Sequence, residues 1–294
     1  MPDFAEVVRL AQEQSGVAQL RPVVEKEILH HTIIRSMAEA GLLHRLTFIG
    51  GTCLRACYGS SRLSEDLDFT GGADFSAEQL SELGQAVAEG VRQTYGLDLV
   101  VSPPRREEGN VSTWKIQVIT HPGSRHLPQQ RINIDICAIS SHEPRPTVLR
   151  NLYTVDLGTS GLILQAESRR EILADKVLAL ALRPNRIKHR DLWDIAWLKQ
   201  QGEACDVAMV QEKCQERHVD MAIFRKALTD RLGEFPDLHG DFMTEMSRFL
   251  PQEVRRTSID RDGFWEYLND AVREVCHTVL AKDNGTQSSE AFRL

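Results

Sequence analysis

The chain has 294 residues, of which 41% are hydrophobic and 26% are charged, and its formal net charge is −7 at pH 7. This composition is typical of a globular protein with one large domain or two ordinary ones, and the negative total argues against a uniformly basic, nucleic-acid-coating surface. The sequence has no run of about 18 apolar residues, and its N-terminus lacks the basic and apolar segments of a secretory signal, so we expect a cytoplasmic protein that does not enter a membrane.

The first half of the chain is predicted to mix helices and strands. An apolar period of helical spacing predicts a helix over 21–43, followed by a strand at 46–49, a Gly-Gly turn and a short helix over 52–59. Further strands are predicted at 66–70, 97–102, 112–120 and 131–137. Ser76 followed by Gln79 has the pattern of a capping box and predicts a helix over 76–96.

After about residue 160 the pattern becomes helical. The predicted helices cover 168–183, 188–201, 207–218, 222–232 and 264–280. The sequence therefore predicts an α+β protein, with a mixed-sheet core over 1–160, an all-helical domain over 161–282 and a polar, flexible tail over 283–294. The six cysteines are scattered and form no CxxC pair, so we expect small buried thiols rather than a zinc site or a disulfide framework.

Carboxylates interrupt two of the predicted strands on one face only. Because side chains alternate along a strand, Asp66 and Asp68 share a face of 66–70, and Asp135 lies on the polar face of 131–137. If the two strands are neighbours, three carboxylates meet on a partly desolvated face, which is costly unless a cation neutralises them. This pattern predicts a site for Mg²⁺ or Mn²⁺. The alternatives are solvated strand charges for the pair and a structural role for Asp135.

A glycine-rich turn precedes these carboxylates. Gly50 and Gly51 would let the backbone approach a phosphate, and the helix that follows would present free N–H groups to it. Thr52 and Ser64 add hydroxyl groups, and Arg62 adds a cation, so these five residues are predicted to bind a nucleoside triphosphate. Each also has an ordinary interpretation, as turn glycines, a capping serine or a surface arginine.

The helical half supplies a lysine and two more carboxylates. Lys176 lies on an apolar helix face, which would bury its stem and direct its ammonium group to an edge, where it could meet a triphosphate. Asp191 and Asp194 are three residues apart, and either could orient Lys176 or act as a base toward an incoming hydroxyl. The alternatives are a surface lysine and acidic residues favoured by a helix N-terminus.

A basic segment lies between that lysine and these aspartates. It is the best candidate for contact with an RNA backbone in an acidic chain, and Arg105, Arg106 and Arg125 could extend it. Its residues are Arg183, Arg186, Lys188 and Arg190. A solvated loop is the other interpretation.

Taken together, these motifs resemble those of the AbiEii/AbiGii-type nucleotidyltransferase toxins of the DNA polymerase β-like superfamily. The family pattern is Gly-Gly-Ser/Thr, then Arg-x-Ser-x-Asp-Leu/Ile-Asp, a helical lysine and a later Arg-Asp segment. The matching positions are Gly50, Gly51, Thr52, Arg62, Ser64, Asp66, Asp68, Lys176, Arg190, Asp191 and Asp194. The resemblance implies a polymerase β-like core, an NTP substrate, a nearby-encoded antitoxin and transfer of nucleotides to tRNA.

We therefore expect attack by a substrate hydroxyl on the NTP α-phosphate, with tRNA, at its 3′ end, as the acceptor. The toxin would block translation in a toxin–antitoxin system of the type IV kind, serve in phage defence and act as a monomer. Two alternatives are a nucleotidyltransferase acting on a small molecule or a protein, and a non-catalytic interaction protein on the same fold.

Overall fold

A computed structural model describes residues 3–15, 17–104, 109–121, 123 and 129–281. These residues form two compact units. The first extends to Ile172 and includes Gly240–Phe264, and the second comprises Leu173–His239 and the described residues from Trp265 to position 281. The predictions for Arg105, Arg106, Arg125 and the tail at 283–294 concern residues outside the described ranges.

The first unit contains a seven-stranded mixed sheet with the strand order β3-β4-β5-β2-β1-β7-β6. Its strands are β1 (Thr47–Ile49), β2 (Leu67–Thr70), β3 (Leu99–Ser102), β4 (Val111–Val118), β5 (Gln130–Cys137), β6 (Pro144–Val148) and β7 (Ile163–Glu167). Strand β2 is parallel to β5 and β1 is parallel to β7, whereas the other neighbours are antiparallel.

Helices make up most of the rest of the described chain. They are α1 (Phe4–Ser15), α2 (Arg21–Glu39), α3 (Gly50–Tyr58), α4 (Leu83–Tyr95), α5 (Arg169–Leu182), α6 (His189–Gln200), α7 (Val207–Glu216), α8 (Met221–Gly233), α9 (His239–Met246), α10 (Gln252–Thr257) and α11 (Phe264–Leu280). The boundary between the two units falls within α5. In the described part of the chain, every helix is too short or too polar to cross a bilayer.

The apolar face of the sheet forms the core of the first unit. Residues alternate along β5 so that three isoleucines at 132, 134 and 136 are fully buried, and Phe48 of β1 stacks on Phe69 of β2 with ring centroids 5.0 Å apart. Helices α2 and α4 approach closely where Gly90 faces Ser36. A Cβ at Gly90 would overlap the serine side chain, so this approach requires a glycine.

Three expectations need correction. The capping box at Ser76 makes no side-chain cap: a 3₁₀ turn occupies Ala77–Leu80, and the α-helix begins only at Leu83. The stretch after residue 160 is not all helical, because β7 extends the sheet beside β1. The compact units accordingly differ from the predicted division at residue 160, and a hydrogen bond from Leu63 N to Phe249 O (2.9 Å) links the chain beyond 240 to the sheet unit.

Candidate active site

Two aspartates face each other across neighbouring strands in the first unit. The parallel register of β2 and β5 pairs Asp68 directly with Asp135, so both side chains project from the same face of the sheet. The condition set by the sequence, that these two strands are neighbours, is met.

Hydrogen bonds orient the carboxylates around this pair. Asp66 precedes β2, and its Oδ1 accepts from the backbone N–H of Asn133 at 3.1 Å. The Oδ1 atom of Asp135 accepts from the Thr113 hydroxyl at 2.6 Å. Each of these bonds engages one carboxylate oxygen and so restricts the orientation of the side chain.

Gly50 leaves space beside these acids. It has φ +75°, and a Cβ built on it would lie 2.9 Å from Oδ2 of Asp68. A side chain at this position would therefore displace the carboxylate and strain the backbone. Asp66, Asp68 and Asp135 supply the carboxylate oxygens that a magnesium or manganese ion prefers, although in this structure the ligand atoms of these three residues do not all lie within 4.8 Å of one another.

The other residues of the glycine-rich motif point inward. The Thr52 hydroxyl lies 2.7 Å from the Ser64 hydroxyl and also contacts the Asp66 carbonyl, and both side chains are buried. Arg62 is buried too, donates to the Leu63 carbonyl at 2.9 Å and occupies the space beside Gly51. In this structure these side chains hold the loop that carries the aspartates.

A buried hydrogen-bond network lies behind this loop, and no pattern in the sequence predicted it. Glu27 of α2 accepts from the Ser64 backbone N–H at 3.0 Å, from Arg55 Nε at 3.1 Å and from the Tyr153 hydroxyl at 2.5 Å. Burial, reinforced by the charge of Glu27, raises the pKa of Tyr153 well above its usual value. A glutamate within the apolar helix stretch 21–43 is the only sequence signal, and it does not identify partners this far away.

The second unit contains a compact charged cluster. The Lys176 ammonium lies 2.6 Å from Asp191 and 2.8 Å from Asp194, and Arg183 also binds Asp191 at 2.9 Å. Burial would raise the pKa of Asp191, but the charges of Lys176 and Arg183 outweigh it and lower that pKa below its usual value. The predicted lysine and both predicted aspartates are thus brought together.

The basic segment after α5 is only partly available to a ligand. Arg183 is engaged by Asp191, whereas Arg186 and Lys188 are exposed and Arg190 is half-buried. Of the four residues predicted to contact RNA, two are therefore exposed.

Comparison with known proteins identifies one matching family. Residues 32–270 match the family described as nucleotidyl transferase AbiEii toxins of type IV toxin–antitoxin systems. Similar solved structures include MenT4, a nucleotidyltransferase toxin from Mycobacterium tuberculosis (16% identity, 96% of this chain, 100% of that chain, TM-score 0.49), and JHP933 from Helicobacter pylori (17% identity, 88% of this chain, 91% of that chain, TM-score 0.48). No curated protein gives a significant match.

Proposed function

Because this chain belongs to the AbiEii family of nucleotidyltransferase toxins of type IV toxin–antitoxin systems, we propose that it transfers a nucleoside monophosphate from an NTP to an RNA acceptor. The preferred acceptor is tRNA, at its 3′ end, and the modification would block translation. The observation that carries the proposal is the pairing of Asp68 with Asp135 beside the space left by Gly50.

Asp66, Asp68 and Asp135 would hold Mg²⁺ or Mn²⁺. When bound, such an ion would neutralise triphosphate charge and make the attacking hydroxyl more acidic. The chain's own contribution is to orient the carboxylates: Asn133 and Thr113 each engage one oxygen, and Gly50 keeps the space beside Asp68 open.

Lys176 is assigned to charge neutralisation on the triphosphate. Its ammonium is positioned by Asp191 and Asp194, which hold it from two directions. The lowered pKa of Asp191 favours this positioning role over proton abstraction, because an effective general base has a pKa near the working pH. The acceptor backbone would contact Arg186 and Lys188, the exposed members of the basic segment.

The proposal extends to the cellular setting. A family of type IV toxin–antitoxin systems suggests an antitoxin partner. The proposal is that this antitoxin is encoded nearby and counteracts the toxin. A cytoplasmic location, a monomeric state and a role in phage defence belong to the same proposal.

The test incubates the purified full chain with total bacterial tRNA, Mg²⁺ and each α-labelled NTP in turn. Two variants accompany it: Asp68→Asn, which removes one carboxylate charge from the paired strands, and Asp98→Asn, which makes the same change at an exposed position before β3. We expect label on tRNA with the unmodified chain and with Asp98→Asn, but not with Asp68→Asn. Absence of label on tRNA with every NTP would reject tRNA as acceptor, and label on protein or on a small molecule would identify the replacement.

A further inference from the structure

A large cleft opens in the first unit at the end of the sheet where β2 and β5 begin. Its volume is about 1140 Å³, and its wall includes Glu65, the residue immediately before Asp66. Five lining residues carry a full positive charge, namely Arg21, Lys26, Arg131, Arg248 and Arg255, against two carboxylates, Glu25 and Glu65. A cationic cleft in a chain of net charge −7 is a local concentration of positive potential.

Some of these cations are occupied by the protein itself. Lys26 binds Glu65 at 2.8 Å, and Arg21 binds Glu25 at 2.9 Å, so these pairs shape the wall. Arg131 and Arg248 are exposed, and neither forms an ion pair with any described residue. They are therefore available to an anionic ligand.

Arg248 is held without neutralisation of its charge. Its guanidinium group lies 6.0 Å from the centroid of the Phe249 ring, a contact that orients the planar group and leaves its N–H donors free to bind a ligand. The Phe249 carbonyl in turn accepts from Leu63 N, so Arg248 is tied to the loop that carries Asp66.

Arg131 connects the cleft with the carboxylates. Because side chains alternate along β5, Arg131, Asn133 and Asp135 project from the same face of the sheet. Four residues of strand place Arg131 about 13 Å from Asp135 along that face. Lys115 of β4 pairs with Asn133, so this exposed lysine lies on the same face between them.

We infer that this cleft, with Lys115 and Arg131, binds the phosphodiester backbone of the acceptor polynucleotide. The inference rests on the proposed function and adds a second set of contacts for the acceptor backbone, besides those proposed for Arg186 and Lys188. Cations spaced along a path that leads to the carboxylates suit a chain with regularly repeated negative charges. The volume exceeds the roughly 300–1,000 Å³ of a small-molecule site.

A protein ligand suits this cleft less well. Protein interfaces are centred on buried aromatic or aliphatic anchors. Among the described residues that line the cleft, none is phenylalanine, tyrosine or tryptophan. The lining also includes Leu20, Pro22 and Val23, so the preference for a polynucleotide over a protein partner rests on the five cationic side chains and on the lack of an aromatic residue among the described lining.

The experiment measures binding of fluorescently labelled tRNA to the full-length protein, by anisotropy, over a series of salt concentrations without NTP. Arg131→Glu and Arg248→Glu are compared with Arg45→Glu, which reverses an exposed arginine before β1, at the end of that strand away from Gly50. We expect each cleft variant to bind at least tenfold more weakly, with a salt slope reduced by about 1. Arg131→Lys should keep most of the affinity, and Arg45→Glu should bind like the unmodified chain.

Binding and transfer fail separately in this design. Asp68→Asn should bind tRNA normally and transfer nothing. If the unmodified chain labels no tRNA yet Arg131→Glu still weakens binding, the proposed function fails and the cleft inference stands. If Arg131→Glu and Arg248→Glu bind tRNA with unchanged affinity and salt slope, the inference is overturned. If Arg131→Glu and Arg248→Glu bind tRNA normally but no longer bind an acidic protein, the inference is overturned and the cleft is a protein interface.

Discussion

Replacing Gly50 with alanine should suppress nucleotide transfer far more than it destabilises the protein. Gly50 has φ +75°, where an alanine costs about 1–2 kcal/mol relative to a relaxed backbone. The added Cβ would also lie 2.9 Å from Oδ2 of Asp68, so the carboxylate must move by several tenths of an ångström or rotate away. Misplacement of a reacting group by about 1 Å can cost about 100-fold in rate, so we expect kcat/KM to fall by about 10- to 100-fold.

Gly41 provides a matched control. It has φ +71°, almost the same backbone conformation, but a Cβ built there meets nothing within 4 Å. Gly41→Ala should therefore lose a similar amount of stability and keep its activity. The two variants separate backbone strain from displacement of the carboxylate.

The assay has two measurements. Urea unfolding should give a similar loss of unfolding free energy for both variants, and transfer of labelled NMP to tRNA should fall only for Gly50→Ala. Full transfer by a folded Gly50→Ala protein would refute the argument that Gly50 preserves the space beside Asp68. Equal loss of transfer by Gly41→Ala would show that general destabilisation, not the carboxylate, explains the effect.

Three further predictions concern buried charges. Glu27→Gln should lower the unfolding free energy by about 3 kcal/mol in urea titrations, because it removes the charge that pairs with a buried arginine. Burial lowers the pKa of His30 to about 4 and that of His31 to about 3, so the stability that depends on neutral histidines is complete above about pH 6.5 and is lost as the pH falls toward those values. At pH 5 each histidine should lower the unfolding free energy by about 2 kcal/mol relative to its value above pH 6.5. His31→Gln should remove the part of this loss that is due to His31. Asp194→Asn should cost about 3–5 kcal/mol of unfolding free energy, because it removes one of the two carboxylates that neutralise the Lys176 ammonium. In thermal melts, the double variant with Lys176→Met should lose less stability than the sum of the losses of the two single variants.

The position of the carboxylates on one face of the sheet was predictable, because successive side chains of a strand point to opposite faces. Alternation alone puts Asp68 and Asp135 on the polar sides of their strands, and apolar residues on the opposite sides indicate that both strands belong to one core. Alternation cannot predict the parallel register that makes Asp68 and Asp135 direct partners. It also cannot predict the hydrogen bonds that Asn133 and Thr113 donate to Asp66 and Asp135.

Long-range partners were not predictable in this way. Glu27 is 37 residues from Ser64 and 126 from Tyr153, and no local pattern connects positions that far apart. Strand β7 was missed for a different reason: it is five residues long, ends in a glutamate and runs directly into the start of α5, so local propensity favours continuing the helix. Its pairing with β1 decides its conformation.

The distribution of charge separates two tasks within one acidic chain. Buried charges, such as Glu27 with Arg55 and Lys176 with Asp191 and Asp194, are neutralised by protein partners, so salt screens them little. Lys115, Arg131 and Arg248 are exposed and form no ion pair with any described residue, so salt should screen them strongly. If the first group maintains the fold and the second binds the acceptor, raising the salt concentration should weaken tRNA binding steeply while the urea midpoint changes little. A parallel decline of both would mean that the exposed cations also support the fold, and the division of tasks would then be wrong.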